Sequence, residues 1–233
     1  MAETIETVEA LIASIDRTIN IDSVVDNLDG TCTIFTCDTK WIQALFSVTI
    51  DGNDFPVIAI NVNISITITG ACPVVSTFEA YPPFFFHGTV TDTNLQLNGI
   101  TNKDSEKTPM GYLYEPFVEN LQDEESALEM ITPVRIFFLS YADTKAWYTP
   151  QHYEETIRPM RNLMNGFIKA AQDSELIDTL GEYSVVSRVK FGVPKNKSQL
   201  DSRGNEKARF DMHLSGVELG ITLPIRRIDD CKC

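Results

Sequence analysis

The chain has 233 residues and a mass of 26.1 kDa, with 43% apolar and 22% charged residues. That is enough apolar material for a sizeable core, in one large domain or two small ones. Lys and Arg number 19 against 33 Asp and Glu, a formal net charge of −14, which repels phosphate and speaks against general binding to nucleic acid. No run of about 18 apolar residues occurs, so no membrane span is expected. The start Met1-Ala-Glu-Thr-Ile-Glu6 is acidic and lacks the basic and apolar regions of a signal peptide, so the expectation is a soluble protein made in a cytoplasm.

Residues 4–15 place Ile5, Val8, Leu11 and Ile15 near helical spacing, with Glu3, Glu6 and Glu9 close to the start. This predicts a short amphipathic helix. The period then changes. Residues 31–37 and 44–50 are β-rich, and Asp51-Gly52-Asn53-Asp54 signals a turn between strands. Over residues 57–69, Ile58, Ile60, Val62, Ile64, Ile66 and Ile68 alternate with Ala, Asn, Ser and Thr. The alternation predicts one strand of roughly 40 Å with one buried face and one uncharged polar face. Such a strand needs its edges covered, and assembly is one way to cover them.

Cys72-Pro73 and Tyr81-Pro82-Pro83 separate this region from the next. There follow Phe84-Phe85-Phe86-His87, a short helix over residues 91–100, a polar loop over 101–107 and a strand over 110–114. Residues 121–130 are acidic and read as exposed or loosely helical, and residues 134–140 as a central strand. Thr149 as N-cap with Pro150 at the first helical position opens a long helix. Ile157, Met160, Leu163, Met164, Phe167, Ile168 and Ala171 give it one apolar face, and Pro159 is expected to kink it. Residues 183–193 and 208–224 read as two strands flanking a loop. In the second, the apolar parity switches at Ser215-Gly216, which predicts a β-bulge.

The five cysteines, Cys32, Cys37, Cys72, Cys231 and Cys233, are odd in number and without a secretion signal. They read as reduced strand and tail cysteines. Cys32-x4-Cys37 and Cys231-Lys232-Cys233 lack the spacing of a zinc knuckle and have no His beside them, so no metal or cofactor is expected. Asp211, His213 and Ser215 share one face of a strand and invite a reading as nucleophile, base and orienter. Residues spaced along one strand are about 7 Å apart, too far for a triad to follow from spacing alone. No G-x-S-x-G, phosphate loop or H-E-x-x-H is present, and catalysis is not expected.

The charge is uneven. Residues 1–130 carry 4 basic and 20 acidic side chains, a net of −16, whereas residues 131–233 carry a net of +2. Arg188, Lys190, Lys195, Lys197, Arg203, Lys207 and Arg209 are offset only by Asp201 and Glu206. An acidic body with a basic arm suits head-to-tail association of identical subunits; a solvated loop without a partner accounts for the same composition. Lys195, Lys197, Arg203, Lys207 and Arg209 are the candidate subunit-interface residues.

Two segments carry a resemblance. Residues 83–97 (PFFFHGTVTDTNLQL) are followed by 108–116 (TPMGYLYEP), and residues 134–140 (VRIFFLS) by the helix over 149–171. Their order resembles the tail-terminator or tail-completion (neck) proteins of tailed bacteriophages, over residues 83–225. The resemblance implies a structural virion protein made in the bacterial host cytoplasm. It would form a homo-oligomeric ring at the head–tail junction or tail end, beside other neck or tail proteins, with no catalytic residues. DNA would pass through the ring without sequence-specific binding. Residues 21–80 depart from the simplest members as a β-rich insertion, which leaves a larger collar or connector protein as a variant. A non-viral β-rich binding module without catalysis is the rival reading.

The expected fold is therefore α+β: a mostly antiparallel sheet packed by one long kinked helix and a short N-terminal helix. The expected segments are a helix over 1–20, the β-rich insertion or small subdomain over 21–80, an α+β core over 81–225 and a tail over 226–233.

Overall fold

The structure, a computed structural model, describes residues 4–44, 46–99, 107–115, 117–124, 127–142, 148–191 and 213–226. It is α+β, with mostly antiparallel sheets, a long joined helix and a short N-terminal helix. Helix α1 (Thr4–Ala13) buries Val8, Leu11 and Ile12, and Glu6 lies in its first turn, where the helix dipole favours an anion.

Five strands then form an antiparallel sheet: β2 (Ser23–Asp26), β3 (Thr31–Phe35), β4 (Ser47–Ile50), β5 (Asn53–Asn61) and β6 (Ser65–Thr69), in the order β2-β3-β6-β5-β4. A small pair, β1 (Thr18–Asn20) with β7 (Thr77–Glu79), brackets it in sequence. The β4–β5 turn is the one predicted, with Asp51 and Gly52 both at positive φ, as a two-residue hairpin turn requires.

The expected single strand over 57–69 is instead a hairpin, β5 turning into β6 through residues 62–64, with Asn63 at φ 58°. Ile60 pairs with Ile66 and Asn61 with Ser65. Because paired residues share parity, the apolar/polar alternation of the sequence carries over from one strand to the next and imitates a single strand, although Ile64 in the turn is exposed. An irregularity between Val57 and Ala59 then swaps the faces, burying Val57 and leaving Ile58 half exposed.

The cysteines are also corrected. Cys32 and Cys72 are joined in a disulfide, with Cα atoms 5.2 Å apart, and Cys37 is free and exposed. Cys32 pairs with Ile68 across the β3–β6 ladder, and the chain turns back at Gly70, at φ 123°, which brings Cys72 to Cys32. Counting and compartment arguments cannot see this contact between residues 40 apart.

The main sheet has six strands: β8 (Phe84–Gly88), β9 (Met110–Tyr114), β10 (Asn120–Glu124), β11 (Ala127–Tyr141), β12 (Tyr183–Phe191) and β13 (Leu214–Arg226). Their order is β12-β13-β11-β9-β8, with β10 pairing the first part of β11. The acidic segment 121–130, expected as exposed or loosely helical, thus supplies most of β10 and the first residues of β11, which pair with each other. β8 and β9 run parallel, which needs the crossover that α2 (Val90–Gly99) begins.

β11 is central, as its apolar run predicts, because both its faces are covered. Val134, Ile136 and Phe138 join the large core, whereas Phe137 and Leu139 join a second cluster with Phe86, Leu97, Met110, Tyr112 and Leu214. The large core also takes in Cys32, Ile34, Ile66 and Ile68 of the five-stranded sheet, together with α1 and the long helix.

That helix runs over residues 149–173 in three joined stretches: α3 (Thr149–His152), a π-helical turn (Tyr153–Ile157) and α4 (Arg158–Asp173). The cap is Tyr148, one residue earlier than expected, and its N–H donates to Gln151 Oε1 at 2.8 Å. At the kink expected from Pro159 the helix continues through a π turn just before the proline, in which Arg158 N–H reaches back five residues to Tyr153 C=O. Proline has no N–H to continue the ordinary ladder, and the wider turn absorbs the misfit. The apolar stripe from Ile157 to Ala171 is buried on the core, as predicted.

The parity switch in β13 has a cause other than the expected bulge. β13 keeps one register along the whole of β11, and the irregularity lies in β12, between Arg188 and Phe191. Leu214 belongs to the second cluster and Val217 to the large core, so the strand changes core without an extra residue of its own.

Candidate assembly surfaces

The candidate interface residues Lys195, Lys197, Arg203, Lys207 and Arg209 lie outside the described residues, as do Asp211 and the tail cysteines. They follow β12 in the chain, and the cations of β12 itself are described. Arg188 is bound to Glu218, with its Nε 2.6 Å from Oε2. Arg135 holds the other oxygen of the same carboxylate, Nε to Oε1 at 2.7 Å. The Glu218 side chain is almost fully buried, and its charge is matched by two guanidiniums that stay partly in water. Arg135 also lies 5.4 Å from the Tyr114 ring centroid and 5.5 Å from that of Phe137, which fixes its plane. Lys190 is exposed on the same strand.

Ser215 does not join His213. Its Oγ lies 3.0 Å from Nδ1 of His152, the last residue of α3, and accepts the Lys190 N–H at 3.2 Å. Both side chains have no solvent exposure, so no substrate can reach the pair from outside without opening the core. It ties the helix start to β13 across 63 residues, a span over which sequence spacing carries no signal.

A groove of about 730 Å³ lies between α4 and the segments 14–16 and 38–41, lined among others by Asp16, Asp38, Lys40, Asn162, Lys169 and Asp173. Burial lowers the affinity of the Lys40 ammonium for its proton. Hydrogen bonds to Asp38 (2.9 Å) and Asp16 (3.1 Å) outweigh that and hold its pKa above the usual lysine range. The Asp16 carboxyl is held below its ordinary value, first by the Thr18 N–H at 3.0 Å and, against some burial, by Lys40.

Asn162 donates its amide protons to Lys40 C=O (2.8 Å) and Asn63 Oδ1 (3.0 Å), and the Asn63 N–H donates to Thr39 Oγ1 (3.0 Å). These polar groups satisfy one another and fasten the β5–β6 turn to α4. In the sequence Asn63 is only one of the polar residues of the alternating run over 57–69. Among the described residues no group of acidic, His and Cys side chains is placed to hold a metal ion, and no helix is long and apolar enough to cross a membrane.

The two large sheets end on β12, β8, β2 and β4, and of these β12 and β2 expose large apolar side chains. Among the described residues nothing pairs with the outer edge of β12 or of β2. β12 exposes Tyr183 (48%), Val185 (38%) and Val186 (42%), and β2 exposes Val24 (38%) and Val25 (48%). An edge strand with apolar side chains and a free row of backbone donors and acceptors is a template for another strand. Comparison with known protein families, curated proteins and solved structures gives no match for this chain.

Proposed function

We propose that the chain is a structural virion protein of a tailed bacteriophage, a tail-terminator, neck or connector subunit that assembles with itself into a ring at the head–tail junction or tail end. The observation that carries the assembly is the open, apolar edge of β12 on the main sheet. A strand of 9 residues left so in a free monomer favours uncontrolled pairing, and an ordered neighbour removes that hazard. The phage assignment rests on the resemblance of residues 83–225. The acidic balance fits a ring that DNA crosses without being held, because fixed positive charge there would bind phosphate.

Light scattering of the purified chain over a range of concentration and salt tests this reading, with negative-stain images of the same samples. The expected result is one discrete multiple of 26.1 kDa with annular particles, reduced to monomer by Val185→Glu on the open edge. A strict monomer under every condition, without annuli, refutes it. The rival binding module is favoured by the groove beside α4, whose volume falls within the range of small-molecule sites.

A further inference from the structure

A ring is built from heterologous contacts, in which one patch of each subunit meets a different patch of the next. The chain must therefore present two unlike surfaces that fit each other. The two terminal strands that expose apolar side chains, β12 of the six-stranded sheet and β2 of the five-stranded sheet, have this relation.

The first point is charge. On β12, Arg188 is held by Glu218 of its own chain, which leaves Lys190 as the exposed cation, and the strand has no carboxylate; β2 and its flanks, residues 22–29, carry Asp22, Asp26 and Asp29 and no Lys or Arg. Pairing β12 with itself across a two-fold axis would gather cations. Pairing β2 with itself would gather aspartates. Only the mixed pair brings opposite charges together, and like charges across an interface act against the wrong partner.

The second point is shape. Each edge presents two consecutive valines, Val24-Val25 and Val185-Val186, all partly exposed. Consecutive residues of a strand point to opposite faces. When such edges join, each strand lays one valine over its neighbour on both faces of the extended sheet.

Resting on the ring reading, we propose that β12 of one copy pairs with β2 of the next, so that the main sheet of one subunit continues into the five-stranded sheet of its neighbour. Neighbouring subunits thus share a continuous hydrogen-bonded ladder.

The test uses full-length chain in which Cys37, Cys231 and Cys233 are changed to Ser. Val25→Cys and Val186→Cys are introduced together, or each alone, and the assemblies are oxidised mildly and run on non-reducing gels. The expected result is a covalent ladder from the double variant, ending at the ring mass found by light scattering, with each single variant staying monomeric on the gel. Should Val25→Cys with Val186→Cys fail to cross-link, Val24→Cys with Val185→Cys samples the other face. An intact ring mass with no ladder from either pair overturns the β12–β2 contact and leaves the ring reading standing. Efficient dimers from a single variant show two-fold pairing and also overturn it. A wild-type monomer throughout removes both. As an independent readout, Lys190→Glu is expected to raise the concentration at which the ring dissociates about tenfold, and Asp22→Lys in the same chain to restore it. Additive weakening by the two changes counts against the contact.

Discussion

Breaking the Cys32–Cys72 disulfide is the most informative perturbation of the five-stranded sheet. The bond closes a loop of 40 residues that holds β3 through β6. In the folded chain that loop is already ordered by the β3–β6 ladder, where Thr31 pairs with Thr69 and Cys32 with Ile68. The cross-link therefore acts mainly on the unfolded chain, and loop-closure entropy for this length gives about 4 kcal/mol. A chain of this size loses about 2–4 °C of melting temperature per kcal/mol, so reduction is expected to lower the midpoint by about 8–16 °C. The assay is a thermal scan with and without a phosphine reductant, on chain carrying Cys37→Ser, Cys231→Ser and Cys233→Ser to prevent exchange. A Cys32→Ala/Cys72→Ala variant serves as the control that no reductant should shift. Mass spectrometry of a non-reduced digest is expected to find the two peptides linked. Absence of that linked peptide refutes the pairing. A linked peptide with a shift below about 2 °C refutes the loop-closure argument instead.

Two further outcomes follow from the geometry. A Cβ on Gly216 would lie 1.9 Å from the Phe138 carbonyl oxygen, a backbone atom of the neighbouring strand, whereas one on Gly220 would meet Ser184 Oγ at 2.7 Å, the end of a side chain that can rotate. Gly216→Ala is therefore expected to cost about 3 kcal/mol or more and Gly220→Ala about 1 kcal/mol, measured by urea unfolding; equal costs would contradict the strand register. Burial, and then the charge of Glu154, raise the Glu155 carboxyl above its ordinary pKa of 4.5. A folded pKa above the unfolded one contributes stability at low pH that is lost as pH rises through the folded value. Glu155→Gln is thus expected to stabilise the protein at pH 7 and to lose that advantage near pH 3, as read by denaturation midpoints at the two pH values.

The amino-acid sequence determined the features that depend on local pattern. The apolar stripe from Ile157 to Ala171 specifies a helix with one buried face, Asp51-Gly52 specifies a turn whose positive φ values few other pairs tolerate, and the apolar run at 134–140 specifies a strand covered on both sides. Together these are sufficient for the α+β class. The tertiary structure alone decided where pattern is degenerate or contacts are distant. Alternation over 57–69 is the same for a long strand and for a hairpin whose turn preserves parity, and only burial of Ile66 and Ile68 against β3 selects the hairpin. The acidic segment at 121–124 became a strand because β11 offered its backbone a partner, which overrides weak β-propensity. The candidate surfaces divide in the same way. The basic character of Arg188 and Lys190 is legible in the sequence. That β12 and β2 lie at sheet edges, that Ser215 meets His152, that Asn63 meets Asn162 and that Cys32 meets Cys72 are matters of strand order and packing. No local pattern encodes them, because each contact is fixed by which elements the shared core brings together.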